Sequence, residues 1–277
     1  MHGIRKHIGV IKLSADNYSF LSVYGTETNG RTIKLVTIKS PKDFERIEVE
    51  RDDESQNDEK FHSSITRARN RIWELSICND WDYFFTITIN SDKMDRFNLN
   101  VFHLEFTKFL YEYKHRKYKV KYLIIPEKHK DGAWHFHGLL AGLPTEELTR
   151  FVIGMRMSKC IANLVLRGRC IYFSKPIENK FGFNTFEIVN NRQAVAKYVT
   201  KYIGKNLERS VIEVGAHTFY HSRGLNEKER IVEGTMYRDC SVPLSSSYEN
   251  EKIIVREYEY TPQNLEKLKE CFHFPIF

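Results

Sequence analysis

The chain has 277 residues, of which 41% are hydrophobic and 29% charged, and its formal net charge is +7. This is the profile of a globular protein long enough to bury a full core, and no run approaches the ~18 apolar residues of a membrane span. The N-terminal stretch MHGIRKHIGVIKLSADN lacks a signal-peptide core, which predicts a cytoplasmic protein. The five cysteines, Cys78, Cys160, Cys170, Cys240 and Cys271, are scattered with no Cys-x-x-Cys pair, which argues against a zinc ribbon or a disulfide scaffold.

The charge is uneven. Asp43 to Glu59 holds nine of the 36 acidic residues, so the remainder is more basic than the average. Basic residues gather at Arg67, Arg69 and Arg71, between Lys108 and Lys130, and between Arg192 and Arg209, often interleaved with aromatics. Cations neutralise phosphates and aromatic faces stack on unpaired bases, so the mixture suits single-stranded nucleic acid.

In chain order, Ile8–Leu13, Phe20–Tyr24 and Thr32–Lys39 read as strands, and the acidic Asp43–Glu59 reads as a loop or helix start. Helical spacing of Phe61, Ile65, Ile72 and Trp73 predicts a basic helix over Glu59–Ile77. Tyr83–Ile89, β-branched and aromatic, is the clearest strand. Phe97–Tyr113 then carries a helical stripe of Phe102, Phe106, Phe109, Leu110 and Tyr113. A hairpin follows: Tyr122–Ile125 as a buried strand, Asp131-Gly132 as the turn, and Trp134–Leu140 as the return. Pro144 to Glu147 opens a predicted helix with Leu148, Phe151, Val152 and Met155 inside. Ile171–Phe173 and Thr185–Val189 read as strands. Asn190-Asn191 caps a helix over Arg192–Ile203 that ends at Gly204. A strand over Ile253–Tyr260 and a helix over Pro262–Cys271 complete the reading.

Two constellations carry chemistry. In an extended Trp134–Leu140, His135, His137 and Leu139 share one face, and two imidazoles at i, i+2 can converge on one ion. Glu127, on the partner strand, is placed as an oxygen ligand, with His129 or Asp131 on the turn as substitutes. Two nitrogens and a carboxylate make an open Mg-, Mn- or Zn-type site. Alone, His-x-His is short and common, and is better explained by two solvent-facing histidines on an edge strand. The second constellation is the 192–205 helix. Tyr198 and Tyr202 form one i, i+4 row, flanked by Lys197, Lys201 and Lys205, beside a buried row of Val195, Val199 and Ile203. Free Tyr has a pKa near ~10, so a phenol nucleophile needs help from a cation or a polarised phosphate. Alone, the tyrosines are better explained as the amphipathic edge of a core than as nucleophiles.

Together and in this order, Phe84-Phe85-Thr86-Ile87-Thr88, Glu127, His135-Phe136-His137 and Tyr198-x-x-Lys201-Tyr202-x-x-Lys205 resemble the HUH (histidine–hydrophobe–histidine) endonuclease superfamily. The closest resemblance is to the two-tyrosine rolling-circle replication initiators of bacterial plasmids and single-stranded DNA phages, over roughly Trp81 to Lys205. It implies an α+β fold: a ferredoxin-like, five-stranded antiparallel sheet with flanking helices over 59–209, a β-rich N-terminal extension over 1–58 and a C-terminal extension over 210–277. It also implies a Mg or Mn ion on His135, His137 and Glu127, nucleophiles Tyr198 and Tyr202 assisted by Lys201, and DNA contacts from Lys205, Lys197, Arg67 and Arg71. The implied partners are single-stranded origin DNA, a host helicase and a host DNA polymerase in the cytoplasm of a bacterial cell, with no membrane. The His217–Leu225 stretch reads as a loop or strand on DNA phosphate. Two other readings are open: a non-enzymatic nucleic-acid-binding module on the same fold, and a relaxase or transposase of the superfamily. The tyrosine pair and the tyrosine's position after the histidines count against the second. No Walker-type phosphate loop is present, so unwinding falls to a host partner.

Overall fold

The computed structural model describes residues 17–28, 30–39, 53–115, 117–207, 217–238 and 240–272. The elements in chain order are β1 (Tyr18–Thr26), β2 (Gly30–Ile38), α1 (Asp53–Ile77), β3 (Tyr83–Ile89), α2 (Leu99–His115), β4 (Lys121–Lys128) and β5 (Trp134–Ala141). Then come β6 (Leu148–Arg150), α3 (Lys159–Leu166), β7 (Ile171–Ser174), α4 (Lys175–Lys180), β8 (Gly182–Ile188) and α5 (Arg192–Leu207). The chain finishes with β9 (Tyr220–His221), β10 (Glu229–Thr235), β11 (Leu244–Glu249), β12 (Ile253–Glu259) and α6 (Pro262–Lys269).

The chain divides into two compact units, one of Met1–Gln56 with Asn226–Phe277 and one of Asn57–Leu225. In the first, an antiparallel sheet runs β10-β1-β2-β12-β11. The two flanks expected as separate extensions are thus one unit, because β2 pairs with its hairpin neighbour β1 on one edge and with β12 on the other. Leu21, Val23, Ile33 and Leu35 point to one face and pack with Tyr258, Leu268 and Phe272. In the same core Cys240 and Cys271 are paired as a disulfide with Cα atoms 6.2 Å apart, a pair that the reading against a disulfide scaffold did not anticipate. Their 31-residue separation offers no local signal; the sheet and α6 bring them together. The expected Ile8–Leu13 strand lies outside the described residues.

The second unit is built on an antiparallel sheet in the order β6-β7-β8-β3-β5-β4-β9. Seven strands replace the expected five, the additions being the short edge strands β6 and β9. β3 lies in the middle with Tyr83, Phe85, Ile87 and Ile89 on one face, while the other carries Phe84 followed by Thr86 and Thr88. Tyr83, Phe85 and Ile87 meet Phe102, Phe106, Phe109 and Tyr113 of α2 on one face. On the other, Phe84 joins Leu123, Ile125 and Leu139 under Ile65, Ile72 and Leu75 of α1 and Val199 of α5. Each buried Phe contributes roughly 1.5–3 kcal/mol by area, so the stripe read on α2 is what fixes that helix to the sheet.

Local chemistry sets the element ends. Asn98 Oδ1 accepts from the Val101 amide at the start of α2, and Asn191 Oδ1 accepts from the Ala194 amide at the start of α5. α1 begins at Asp53, six residues before the expected start. α5 runs through Gly204 to Leu207, since a glycine inside a helix costs only about 1 kcal/mol and does not oblige it to stop. The helix expected after Pro144 does not form. A single 3₁₀ turn over Thr145–Glu147 leads into β6, which pairs with β7; Phe151 is buried, whereas Val152 and Met155 are exposed.

Candidate active site

The β4–β5 hairpin is closed by a turn in which Gly132 has φ +85°, a conformation that favours glycine. Asp131 Oδ1 accepts from the Ala133 amide, and Arg96 Nη2 donates to Asp131 Oδ2 at 3.0 Å. These interactions, with His129 nearby, hold the Asp131 carboxyl below its ordinary range. The register then sets Ile125 opposite His137 and Glu127 opposite His135. On the other side, β3 sets Thr86 opposite His137 and Thr88 opposite His135.

This register has a chemical result. Thr86 Oγ1 lies 3.1 Å from His137 Nδ1, and Thr88 Oγ1 lies 3.2 Å from His135 Nδ1. Each ring therefore has its Nδ1 fixed by a neighbouring hydroxyl, which orients its Nε2. His137 Nε2 donates to Glu127 Oε2 at 2.6 Å; in the neutral ring, Nδ1 is then left to accept from Thr86. The His129 ring stacks on His135 with centroids 4.4 Å apart. Burial first, and then His129 and His137, push the His135 pKa down. Burial is uneven across the site, with His137 buried and His135 half-buried. Thr86 and Thr88 stand in the strand motif that the sequence singles out, but their role as partners of the two histidines is not legible in it; it follows from the β3–β5 register.

α5 crosses the same sheet face. Phe84 stacks beside His137 at 6.1 Å between centroids and meets the Tyr198 ring edge-on at 5.3 Å. One phenylalanine thus touches both the histidine strand and the tyrosine helix. Tyr198 is 45% exposed, while its neighbours Ala196 and Val199 are fully buried. Lys197 is exposed. Lys201, Tyr202 and Lys205 lie on α5, and their side chains, like that of Ile203, fall outside the described residues.

The remaining expected DNA contacts separate. Arg67 is exposed on α1. Arg71 Nη1 instead donates to Glu74 Oε1 at 2.8 Å, and Glu74 is buried. Arg71 therefore compensates a buried carboxylate. Within the 217–225 stretch, β9 adds to the edge of β4, and Tyr220 stacks on His103 of α2 at 3.9 Å. Among the described residues, no three His, Cys, Asp or Glu side chains are grouped as a metal-binding set.

Residues 82–207 match the sequence model of a family of replication-associated proteins, that of ORF2 and the phage gene 2 protein. Neither the comparison with curated proteins nor that with solved structures gives a match. No helix among the described residues is long and apolar enough to cross a membrane. The matched segment begins one residue before β3 and ends with α5, so it contains the threonines, both histidines, Glu127 and both tyrosines. The segment that carries the candidate site is thus the one that matches the ORF2/gene 2 protein family model of replication-associated proteins, over residues 82–207.

Proposed function

We propose that this replication-associated protein nicks and rejoins single-stranded DNA at a rolling-circle origin through a 5′-phosphotyrosine intermediate. The observation that carries the reading is Phe84, whose ring touches both His137 and Tyr198, so that the histidine strand and the tyrosine helix serve one sheet face. The strand order supports it too. β8-β3-β5-β4 is the 4-1-3-2 order of a ferredoxin-like split βαβ, as in the HUH fold.

The donors fit a divalent ion by their chemistry. His135, His137 and Glu127 offer two imidazole nitrogens and one carboxylate, and the threonine hydroxyls at Nδ1 are the outer partners that such ligands need. Mg or Mn held there supplies Lewis-acid polarisation of a phosphate oxygen. The chain's own residues do the rest. Tyr198 or Tyr202 attacks phosphorus in line. The tyrosine Oη–P bond forms, the P–O3′ bond breaks, and the freed 3′ oxygen takes a proton. Lys201 stabilises charge beside the reacting phenol. Lys197, Lys205 and Arg67 neutralise neighbouring phosphates. The 3′-OH then primes a host polymerase while a host helicase unwinds. The second tyrosine attacks the regenerated junction, and the phosphotyrosine bond supplies the energy for joining.

The test is nicking of supercoiled DNA carrying the origin of the encoding replicon, with Mn, with Mg or with EDTA. Nicked circles that need the metal and vanish in His135→Ala and His137→Ala are expected. DNA binding without nicking under every metal would favour the non-enzymatic binding module.

A further inference from the structure

Beside Tyr198 and Phe84, a cavity of about 390 Å³ opens between α5, β8 and α3. Its walls are mostly apolar, formed by Phe84, Leu164, Ile188, Val195 and the ring of Tyr198. At its rim Arg169 and Glu187 form an ion pair between the loop before β7 and the strand β8. Glu187 stands opposite Phe84 in the β3–β8 ladder, and Thr185 stands opposite Thr86, so the rim lies one step along the same face from the His137 row.

This arrangement exceeds what packing requires. Ile188 and Tyr198 are each nearly half exposed, at 48% and 45%, although an apolar wall adjoins them. The volume lies within the ~300–1,000 Å³ of small-molecule sites. We infer that the cavity takes one unpaired nucleobase of the strand being cut, from the nucleotide next to the scissile phosphate. The base stacks on the Tyr198 ring and meets Phe84, which stands edge-on to that ring, at its side. Its polar edge meets the Arg169 guanidinium and the Glu187 carboxylate, which offer donors and acceptors side by side. The inference rests on the nickase reading for the position of the phosphate, and it adds a residue set that selects the flanking base. Stacking there would also hold the Tyr198 ring in one orientation when substrate arrives.

The test is ultraviolet crosslinking of the full chain to single-stranded oligothymidylate carrying 5-iodouracil, with crosslinked peptides identified by mass spectrometry. Crosslinks are expected on the peptides bearing Phe84 and Tyr198. They should fall roughly tenfold when the cavity is filled by Leu164→Trp or, from the helix side, by Ala194→Trp. Circular dichroism of both variants shows which of them is folded. Crosslinks confined to other peptides, or undiminished in a folded filled variant, would overturn the inference. Covalent adduct formation by the same proteins separates the two readings. Adduct without these crosslinks leaves the nickase and removes the base pocket, and crosslinks without adduct do the reverse.

Discussion

Glu127 stands opposite His135 in the β4–β5 ladder, yet its carboxylate accepts the Nε2 proton of His137, two residues along, at 2.6 Å. The carboxylate so lies diagonally between both imidazoles. In the proposed reading it is an ion donor as well as the partner of His137. Glu127→Ala should raise the Mn concentration for half-maximal nicking by at least the ~10–100-fold typical of losing a supporting metal-site group. An unchanged Mn dependence would remove Glu127 from the donor set.

Tyr198 meets Phe84 through its ring and is 45% exposed. Tyr198→Phe keeps that ring, so stability should move by no more than about 0.5 kcal/mol while adduct at position 198 disappears. Urea unfolding and peptide mass spectrometry of the adduct check the two halves. Phe84→Ala should behave oppositely, costing about 3–5 kcal/mol because it empties the ring position between His137 and the helix.

Gly138 follows the second histidine with Phe85 across the ladder. A Cβ there would run into the Leu123 carbonyl oxygen and lie 2.7 Å from the Phe85 ring. The glycine is required by close approach. Gly138→Ala should destabilise by about 1–3 kcal/mol and weaken nicking by shifting β5 against β4. A melting temperature equal to that of the unchanged protein would contradict this.

Burial, and secondarily His217, holds the His103 pKa below its ordinary value while the ring stacks on Tyr220. A histidine with a lowered folded pKa binds its proton more readily when unfolded. Its contribution is therefore complete above about pH 6.5 and is lost as pH falls below that value. His135 shifts the same way. The melting temperature should fall from pH 7 towards pH 5, and more shallowly in His103→Phe, which preserves the stack. Parallel slopes would show that the His103 ring is not the titrating group.

Much of this is legible in the sequence because it is local. Tyr83–Ile89, the Asp131-Gly132 turn and the Asn191 cap each follow from a few neighbouring residues, and each recurs in the fold. The pairing of β2 with β12 across more than two hundred residues carries no such signal. Nor does the Cys240–Cys271 pair. The helix expected after Pro144 fails because spacing alone does not reveal that Leu148–Arg150 pairs with β7, which leaves only Phe151 of the following residues buried. α3 escapes the sequence reading although Ser158, whose side chain accepts from the Ile161 amide, is an ordinary N-cap. At the site, His135, His137 and Glu127 are legible as types. Their threonine partners and the Phe84 contact depend on the β3–β5 register, which alternation alone does not set.

The most direct test of the central claim is the covalent adduct on single-stranded origin DNA, run on a denaturing gel with Mn or EDTA. The tyrosine-pair account predicts an adduct that needs the metal, survives Tyr198→Phe and Tyr202→Phe singly, and vanishes in the double variant. An adduct that persists without both tyrosines, or bound DNA that never becomes covalently attached, would contradict it.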